Sequence, residues 1–275
     1  MSGKTIKQDL ARRDFTINAV ACSLIIENTK INSSLSDFLE KLFDNTVLEN
    51  SSLCDYLIDP FNGINDLREK KIRVIQENVF NEDSLRLWRA FRFKIQPGFE
   101  FDKKTFNLIK GCKHLAVLPA KERIREEFVK ILKSDNTADT IRYMEKEFEI
   151  LSTLIPDIAE MKETGENKHH QEDTWTHSLL VLRVLEDLLT DDTYENVVDG
   201  DKIYLVKLSA LLHDIGKIVT KSRKGEKIHY YGHEKVGSEM VVPILKYLKY
   251  SKEEISIVKS IIYYHMRPML LYIAD

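Results

Sequence analysis

The chain has 275 residues, 43% of them hydrophobic, with 41 Lys and Arg against 44 Asp and Glu for a net charge of −3. Such a composition suits a globular chain of one to three domains and excludes disordered or collagen-like classes. No run of about 18 apolar residues occurs and the start lacks a basic-then-apolar export pattern, so neither a membrane span nor a signal segment is expected. Cys22, Cys54 and Cys112 are odd in number and widely spaced, which argues for a reduced, cytoplasmic setting. Charge is unevenly spread: residues 84–133 hold 13 basic and 5 acidic residues, whereas residues 147–201 hold 3 and 15. The first stretch attracts phosphate, unless it is a set of solvated helix faces, and the second repels it.

In chain order, the first feature is Asp9-Leu-Ala-Arg-Arg-Asp-Phe-Thr-Ile-Asn18. Arg12 and Arg13 could fork a triphosphate, with Asp14 and Asn18 as sugar or capping groups; the plainer reading is a helix capped near Asp14. Leu35, Phe38, Leu39, Leu42 and Phe43 then recur at helical spacing over residues 32–47. Residues 56–75 read as a short strand, a Pro/Asn/Gly turn and a second strand at Ile72–Ile75. Gly63 between Asp59 and Asp66 gives that turn the makings of a mobile loop, although an ordinary β-hairpin fits equally.

Residues 81–93 read as one helix with Asn81 as its N-cap. Leu87, Trp88, Phe91 and Ile95 share an arc, and Asp83, Arg86 and Arg89 fan across the other side. An ionised carboxylate only accepts hydrogen bonds and a guanidinium only donates. Cytosine and adenine offer an amino donor beside a ring-nitrogen acceptor, so this pair suits them and clashes with guanine and uracil. The alternative is a surface Asp/Arg pair worth a few tenths of a kcal/mol. Helices follow over 102–111, ended by Gly111, over 119–133 with Pro119 near the start, and over 137–148. In the second of these, Ile124, Phe128, Ile131 and Leu132 face inward and Arg123, Lys130 and Lys133 outward.

Beyond Pro156 the chemistry changes. Trp175-Thr-His177 opens an apolar helix through Leu189, and the apolar helix 203–212 ends in His213-Asp214-Ile-Gly-Lys217. A neutral imidazole beside a carboxylate, with His177 distant in sequence, makes a mixed N/O site for Mn²⁺, Mg²⁺, Fe²⁺ or Ni²⁺. His233 and His265 add ligand candidates. His169, His170 and His229 read as surface or loop residues, and His114 as a packing residue.

These stretches, in this order, resemble class II transfer-RNA nucleotidyltransferases, the CCA-adding family that includes bacterial poly(A) polymerases. The resemblance implies that Arg12-Arg13-Asp14-Phe15-Thr16 with Asn18-Ala19 is a sugar-and-phosphate motif, and that Asp59, Gly63 and Asp66 belong to a flexible loop. Glu82-Asp83-x-x-Arg86 would be a protein template pairing with CTP or ATP, with Arg89 on the same nucleotide-binding face. Glu122-Arg123-Ile-Arg-Glu-Glu-Phe128 is similar to the neck motif, Glu122 and Arg123 being structural pins. The last part resembles an HD-superfamily phosphohydrolase domain. It implies His177, His213 and Asp214 as metal ligands, His233 and His265 as second-metal or phosphate groups, and Lys217 on phosphate, the substrates being phosphomonoesters or 2′,3′-cyclic phosphates.

The fold expected is mainly α: a nucleotidyltransferase head remnant with a small β-hairpin over 1–78, a helical neck and body over 79–155, and an HD domain over 156–275. Partners implied are transfer RNA and CTP or ATP, with Mg²⁺ for the parent transferase and a divalent metal at the HD site. The family's metal-binding carboxylate pair normally precedes the Arg-Arg-Asp motif. The sequence's one Asp-x-Asp, Asp199-Gly-Asp201, reads as a turn, so the chain is expected to be a fragment or diverged relative inactive in transfer. Asp275 is the sole Asp after His265 to close the HD site, which is expected to be cut short and weak in metal. An HD phosphohydrolase acting on RNA ends, or a non-catalytic tRNA-binding module, are the alternatives.

Overall fold

A computed structural model describes residues 5–22, 57–164, 172–190, 199–225 and 227–267. The described residues fall into two compact units, one within Met1–Val79 and Gly98–Thr105, the other within Phe80–Pro97 and Phe106–Asp275. The helix expected over 32–47, together with Cys54, His169, His170 and Asp275, lies outside the described residues. Cys22 and Cys112 are free thiols. No described helix is long and apolar enough to cross a membrane.

In the first unit, helix α1 (Ile6–Leu10) starts at a reciprocal cap between Thr5 and Gln8, so two otherwise orphaned amides are satisfied. Among the described residues no apolar helix starts at Asp14. The chain instead makes a 3-10 turn, Thr16–Asn18, and enters β1 (Ala21–Cys22), which pairs antiparallel with β2 (Leu57–Ile58). Arg12 and Arg13 therefore sit just past the C-terminal end of α1, not at a helix start. Fully buried Phe15 bridges Val74.

The hairpin expected over 56–75 is not formed. Helix α2 (Gly63–Arg68) stands between its two strands, and β3 (Lys71–Ile72) pairs parallel with β4 (Glu100–Phe101). The physical reason is local. Both oxygens of Asp59 accept backbone N–H bonds, from Gly63 at 2.7 Å and Ile64 at 2.9 Å, capping a helix where a turn would otherwise lie. A Cβ at Gly63 would stand 2.1 Å from the Thr16 carbonyl oxygen, so this glycine serves close backbone approach instead of loop mobility.

In the second unit, the helix expected over 81–93 is broken into α3 (Val79–Glu82) and α4 (Arg86–Lys94). Asn81 lies inside α3 and is no cap. The Asp83 carboxylate accepts the Leu85 N–H at 3.1 Å, offering the backbone an alternative to the helical ladder. Next come α5 (Lys103–Cys112), which Gly111 does not end, a 3-10 turn at Lys113–Val117, α6 (Lys121–Leu132) and α7 (Thr137–Phe148). His114 on the 3-10 turn is exposed, contrary to its expected packing role. Leu87, Trp88 and Phe91 are fully buried; Trp88 donates to the Ala116 carbonyl at 2.9 Å and meets Phe128 edge-on, while Phe91, Phe106 and Tyr143 surround Phe148.

Short helices α8 (Ile150–Leu154) and α9 (Asp157–Lys162) lead to α10 (Thr174–Leu189) and α11 (Ile203–Leu212). Helix α11 is apolar almost all round and packs against α6, α10 and the last helix, as expected of a helix central to its unit. Then follow α12 (Lys217–Thr220), the hairpin β5 (Ser222–Lys224) and β6 (Lys227–His229), α13 (His233–Tyr247) and α14 (Lys252–Tyr264).

Candidate functional site

Three groups of sequence-selected residues are resolved, one in the first unit and two in the second. In the first unit, Asp14 is buried and accepts from the Asn18 side chain at 2.6 Å, while Asn18 accepts the Phe15 N–H at 3.3 Å. Arg13 pairs with Asp9 at 3.1 Å. Asp66 is buried and taken up by the Thr16 hydroxyl at 2.6 Å and by Arg73, which also reaches Asp102. Asp14, Asn18, Asp59, Gly63 and Asp66 are thus tied into this unit's own backbone and side chains.

In the neck, Asp83 and Arg86 stand at the break between α3 and α4. The Arg86 N–H donates to the Asp83 carbonyl, its guanidinium pairs with Glu82 at 3.1 Å, and the Asp83 carboxylate pairs with Arg123 of α6 at 3.1 Å. Asp83 keeps 35% of its side chain exposed. A carboxylate has about four lone-pair sites, so these bonds orient Asp83 without exhausting it. Arg123 pins Asp83; Arg89 is half-buried one turn on.

The third group converges from four places in the chain. His177 comes from the first turn of α10, His213 and Asp214 from the end of α11, His233 from the first turn of α13 and His265 from the end of α14. Oδ2 of Asp214 faces the Nε2 atoms of His213 at 3.2 Å and His177 at 3.7 Å, and the Lys217 ammonium at 2.6 Å. Its Oδ1 faces the Nε2 atoms of His233 at 3.2 Å and His265 at 3.7 Å. Two triads share one carboxylate: His177, His213, Asp214 and Asp214, His233, His265. Close backbone contact makes this possible, because a Cβ on Gly216 would stand 2.1 Å from the His233 carbonyl oxygen.

The second hydrogen bonds of the imidazoles define the chemistry. His213, His233 and His265 each donate from Nδ1 to the carbonyl three residues back, of Ala210, Tyr230 and Ile262, at 2.9, 2.8 and 2.7 Å. A carbonyl can only accept, so Nδ1 carries the proton and neutral Nε2 presents a lone pair. The Nε2 atoms of His233 and His265 lie 3.2 Å apart. Lone pairs facing each other and a carboxylate repel unless a cation, a proton or a metal lies among them. Imidazole and carboxylate donors suit a divalent first-row metal or Mg²⁺, with Nδ1 held by backbone in the manner of a metal ligand's outer support.

Electrostatics agree with this frame. Burial opposes the charge of Asp214, yet its contacts with His213 and His233 and with the Lys217 ammonium hold its carboxyl far below the usual range. Burial lowers the pKa of His177 and of His265, keeping both imidazoles neutral further into acid. His233 is raised despite burial, by its hydrogen bonds to Asp214 and the Tyr230 carbonyl.

Three family models match in sequence order: "Poly A polymerase head domain" over residues 1–73, "Probable RNA and SrmB- binding site of polymerase A" over 98–162, and "HD domain" over 174–273. The A-adding tRNA nucleotidyltransferase of Deinococcus radiodurans is 27% identical over 268 residues, covering 95% of this chain and 52% of that protein. The chain belongs to the poly(A) polymerase and tRNA nucleotidyltransferase family. A multifunctional CCA protein of Legionella pneumophila is 29% identical over 246 residues, covering 86% of this chain and 48% of its own. This nucleotidyltransferase-family chain therefore spans about half the length of the curated relatives it matches. A solved tRNA nucleotidyltransferase complexed with a primer tRNA and an incoming ATP analog shares the fold, with TM-score 0.61 at 22% identity over 98% of this chain and 60% of that one.

Sequence reading of this family member overlooked its supports. Arg73, which fastens Asp66, sits between apolar Ile72 and Val74, and strand alternation places it on the opposite face. Glu186 and Lys207 form a buried pair at 3.0 Å, the carboxylate also taking the Thr137 and Ala138 N–H groups that start α7. Lys207 is the lone charge of its apolar helical run, a signal for a buried pair that sequence alone cannot match to its partner.

Proposed function

We propose that this protein acts at the 3′ end of transfer RNA, with Asp83 and Arg86 as the groups that select CTP or ATP. The observation that supports it most is the oriented pair at the α3–α4 break, an acceptor pinned by Arg123 beside a donor pinned by Glu82. Arg89 extends the same face, and Arg12, Arg13, Asp14 and Asn18 are the sugar and phosphate groups of the head. In this reading Asp59, Gly63 and Asp66 shape the head through the α2 cap. The basic stretch 84–133 follows the tRNA backbone, a contact that weakens steeply with salt.

Transfer itself needs paired carboxylates for Mg²⁺. The sequence's one Asp-x-Asp lies at a 3-10 turn, where Asp201 is 95% exposed and pairs with Lys133 at 3.5 Å. We infer that the 275 residues by themselves select nucleotides without joining them. Incubating the chain with CTP, ATP, Mg²⁺ and tRNA lacking its CCA end is expected to give no extension, and robust incorporation contradicts the inference.

The Asp214 cluster favours a second activity in the same chain, hydrolysis of RNA ends or nucleotides bearing a phosphomonoester, with release of phosphate, or a 2′,3′-cyclic phosphate, with opening of the ring to a monoester. His177, His213 and Asp214 would hold one divalent metal, and Asp214, His233 and His265 a second. When bound, such a metal supplies Lewis-acid polarisation of a phosphoryl oxygen. The chain's own part is to keep Nε2 lone pairs turned inward through Nδ1–carbonyl bonds, and to set the Lys217 ammonium against negative charge. Mn²⁺-dependent opening of 2′,3′-cyclic AMP by water to the 2′- or 3′-monophosphate, lost in His213→Ala, is the expected result; no Mn²⁺-dependent hydrolysis refutes this activity.

A further inference from the structure

The segment 217–231 joins two members of the Asp214 cluster and holds five basic residues against one acidic. Its first end is α12, whose Lys217 bonds Asp214; its last end runs through Tyr230, Tyr231 and Gly232 into His233. Between them lies the hairpin β5–β6, with Lys221, Arg223 and Lys224 exposed. The two tyrosines behave oppositely. Tyr230 turns inward: its hydroxyl is buried with no hydrogen-bond partner among the described residues, and the Lys217 ammonium lies 5.7 Å from its ring centre. Tyr231 turns outward, 75% exposed, its ring stacked on His229 at 4.9 Å and 10°.

We infer that this hairpin and the Tyr230-Tyr231 step form a platform for the unpaired 3′ end of an RNA strand, deepening the phosphate-release reading of the Asp214 cluster on which the inference rests. The terminal base stacks on Tyr231, its phosphate meets the Lys217 ammonium and the Tyr230 hydroxyl, and Lys221, Arg223 and Lys224 follow the preceding phosphates. An aromatic face open to solvent accepts any base whose own face is free, a condition that duplex interiors do not meet. The distance is short enough for one terminal nucleotide, because two residues from Tyr231 to His233 span at most about 7 Å. A buried hydroxyl without a partner is costly unless a ligand bonds it, and a phosphate oxygen is an acceptor of the right kind.

The test is fluorescence anisotropy of the full chain with a six-nucleotide single-stranded RNA carrying a 3′-phosphate, beside the same RNA in a blunt duplex. Single strands are expected to bind more tightly than the duplex, Tyr231→Ala to weaken them about ten-fold and Tyr231→Trp to restore binding. The triple substitution Lys221→Glu, Arg223→Glu and Lys224→Glu is expected to lower the slope of log affinity against log salt by about two. Unchanged binding in Tyr231→Ala, or equal affinity for the duplex, overturns the inference. Hydrolysis of p-nitrophenyl phosphate with Mn²⁺ separates the two readings. If no phosphate is released while binding still depends on Tyr231, the cleavage reading falls and the platform stands.

Discussion

Asp83 and Asp214 are both aspartates surrounded by basic side chains in the second unit, and their surroundings give them opposite chemistry. Asp83 is met by obligate donors, the Leu85 amide and the Arg123 guanidinium, and keeps exposed acceptor capacity. Asp214 is buried at 2% exposure among imidazoles whose Nε2 atoms, once neutral, also accept. An acceptor held by donors at a surface can read a donor on a base edge. One ringed by other acceptors draws in a positive ion. Glu186 is a third case, a buried carboxylate held by two amides and the Lys207 ammonium and hidden from any ligand.

That contrast can be broken at each carboxylate. The largest effect is expected at the closed one: Lys207→Met leaves Glu186 buried and unpaired, and chemical denaturation should show a loss of about 3–5 kcal/mol. Asp214→Asn removes the charge shared by both triads. Because changing mere outer supports of a metal typically costs about 10–100-fold in affinity, Mn²⁺ affinity measured by calorimetry should fall by more than about 100-fold, with the discrimination among nucleotides untouched. Asp83→Ala should do the reverse, reducing the preference for CTP and ATP over GTP and UTP by about 1–3 kcal/mol and leaving Mn²⁺ uptake unchanged.

The smallest effect separates the two triads by pH. A ligating imidazole must be neutral at Nε2. His233 is raised above its ordinary value and so takes up a proton first as pH falls, whereas His177 is lowered and stays neutral longer. Cobalt absorbance should therefore lose its His233 contribution at a higher pH than its His177 contribution. A single transition common to both would contradict the assignment.

Much of the second unit was legible because its signals are local. Helical periodicity in Thr137–Phe148 and Ile203–Leu212 was decided by residues three and four apart, and the structure has these helices at those bounds. The histidines were legible as chemistry: rare side chains placed at the ends of apolar helices. What could not be read was set by partners far off in sequence. The hairpin expected over 56–75 gave way because Asp59 caps α2 and because β2 and β3 found partners at Ala21–Cys22 and Glu100–Phe101. The 81–93 helix failed at Asp83 for a reason that was visible, an Asp able to bond the amide two residues on, yet helical periodicity on either side masked it. Gly63 looked like a loop residue; it and Gly216 are both places where another backbone comes too near for a Cβ.

Nucleotide selection at the α3–α4 break is tested most directly by equilibrium titration of the chain with each of the four nucleoside triphosphates at constant salt. CTP and ATP should bind more tightly than GTP and UTP, and the preference should vanish in Asp83→Ala and Arg86→Ala while Mn²⁺ binding at Asp214 persists. Equal affinity for all four, or a preference that survives both substitutions, would contradict it.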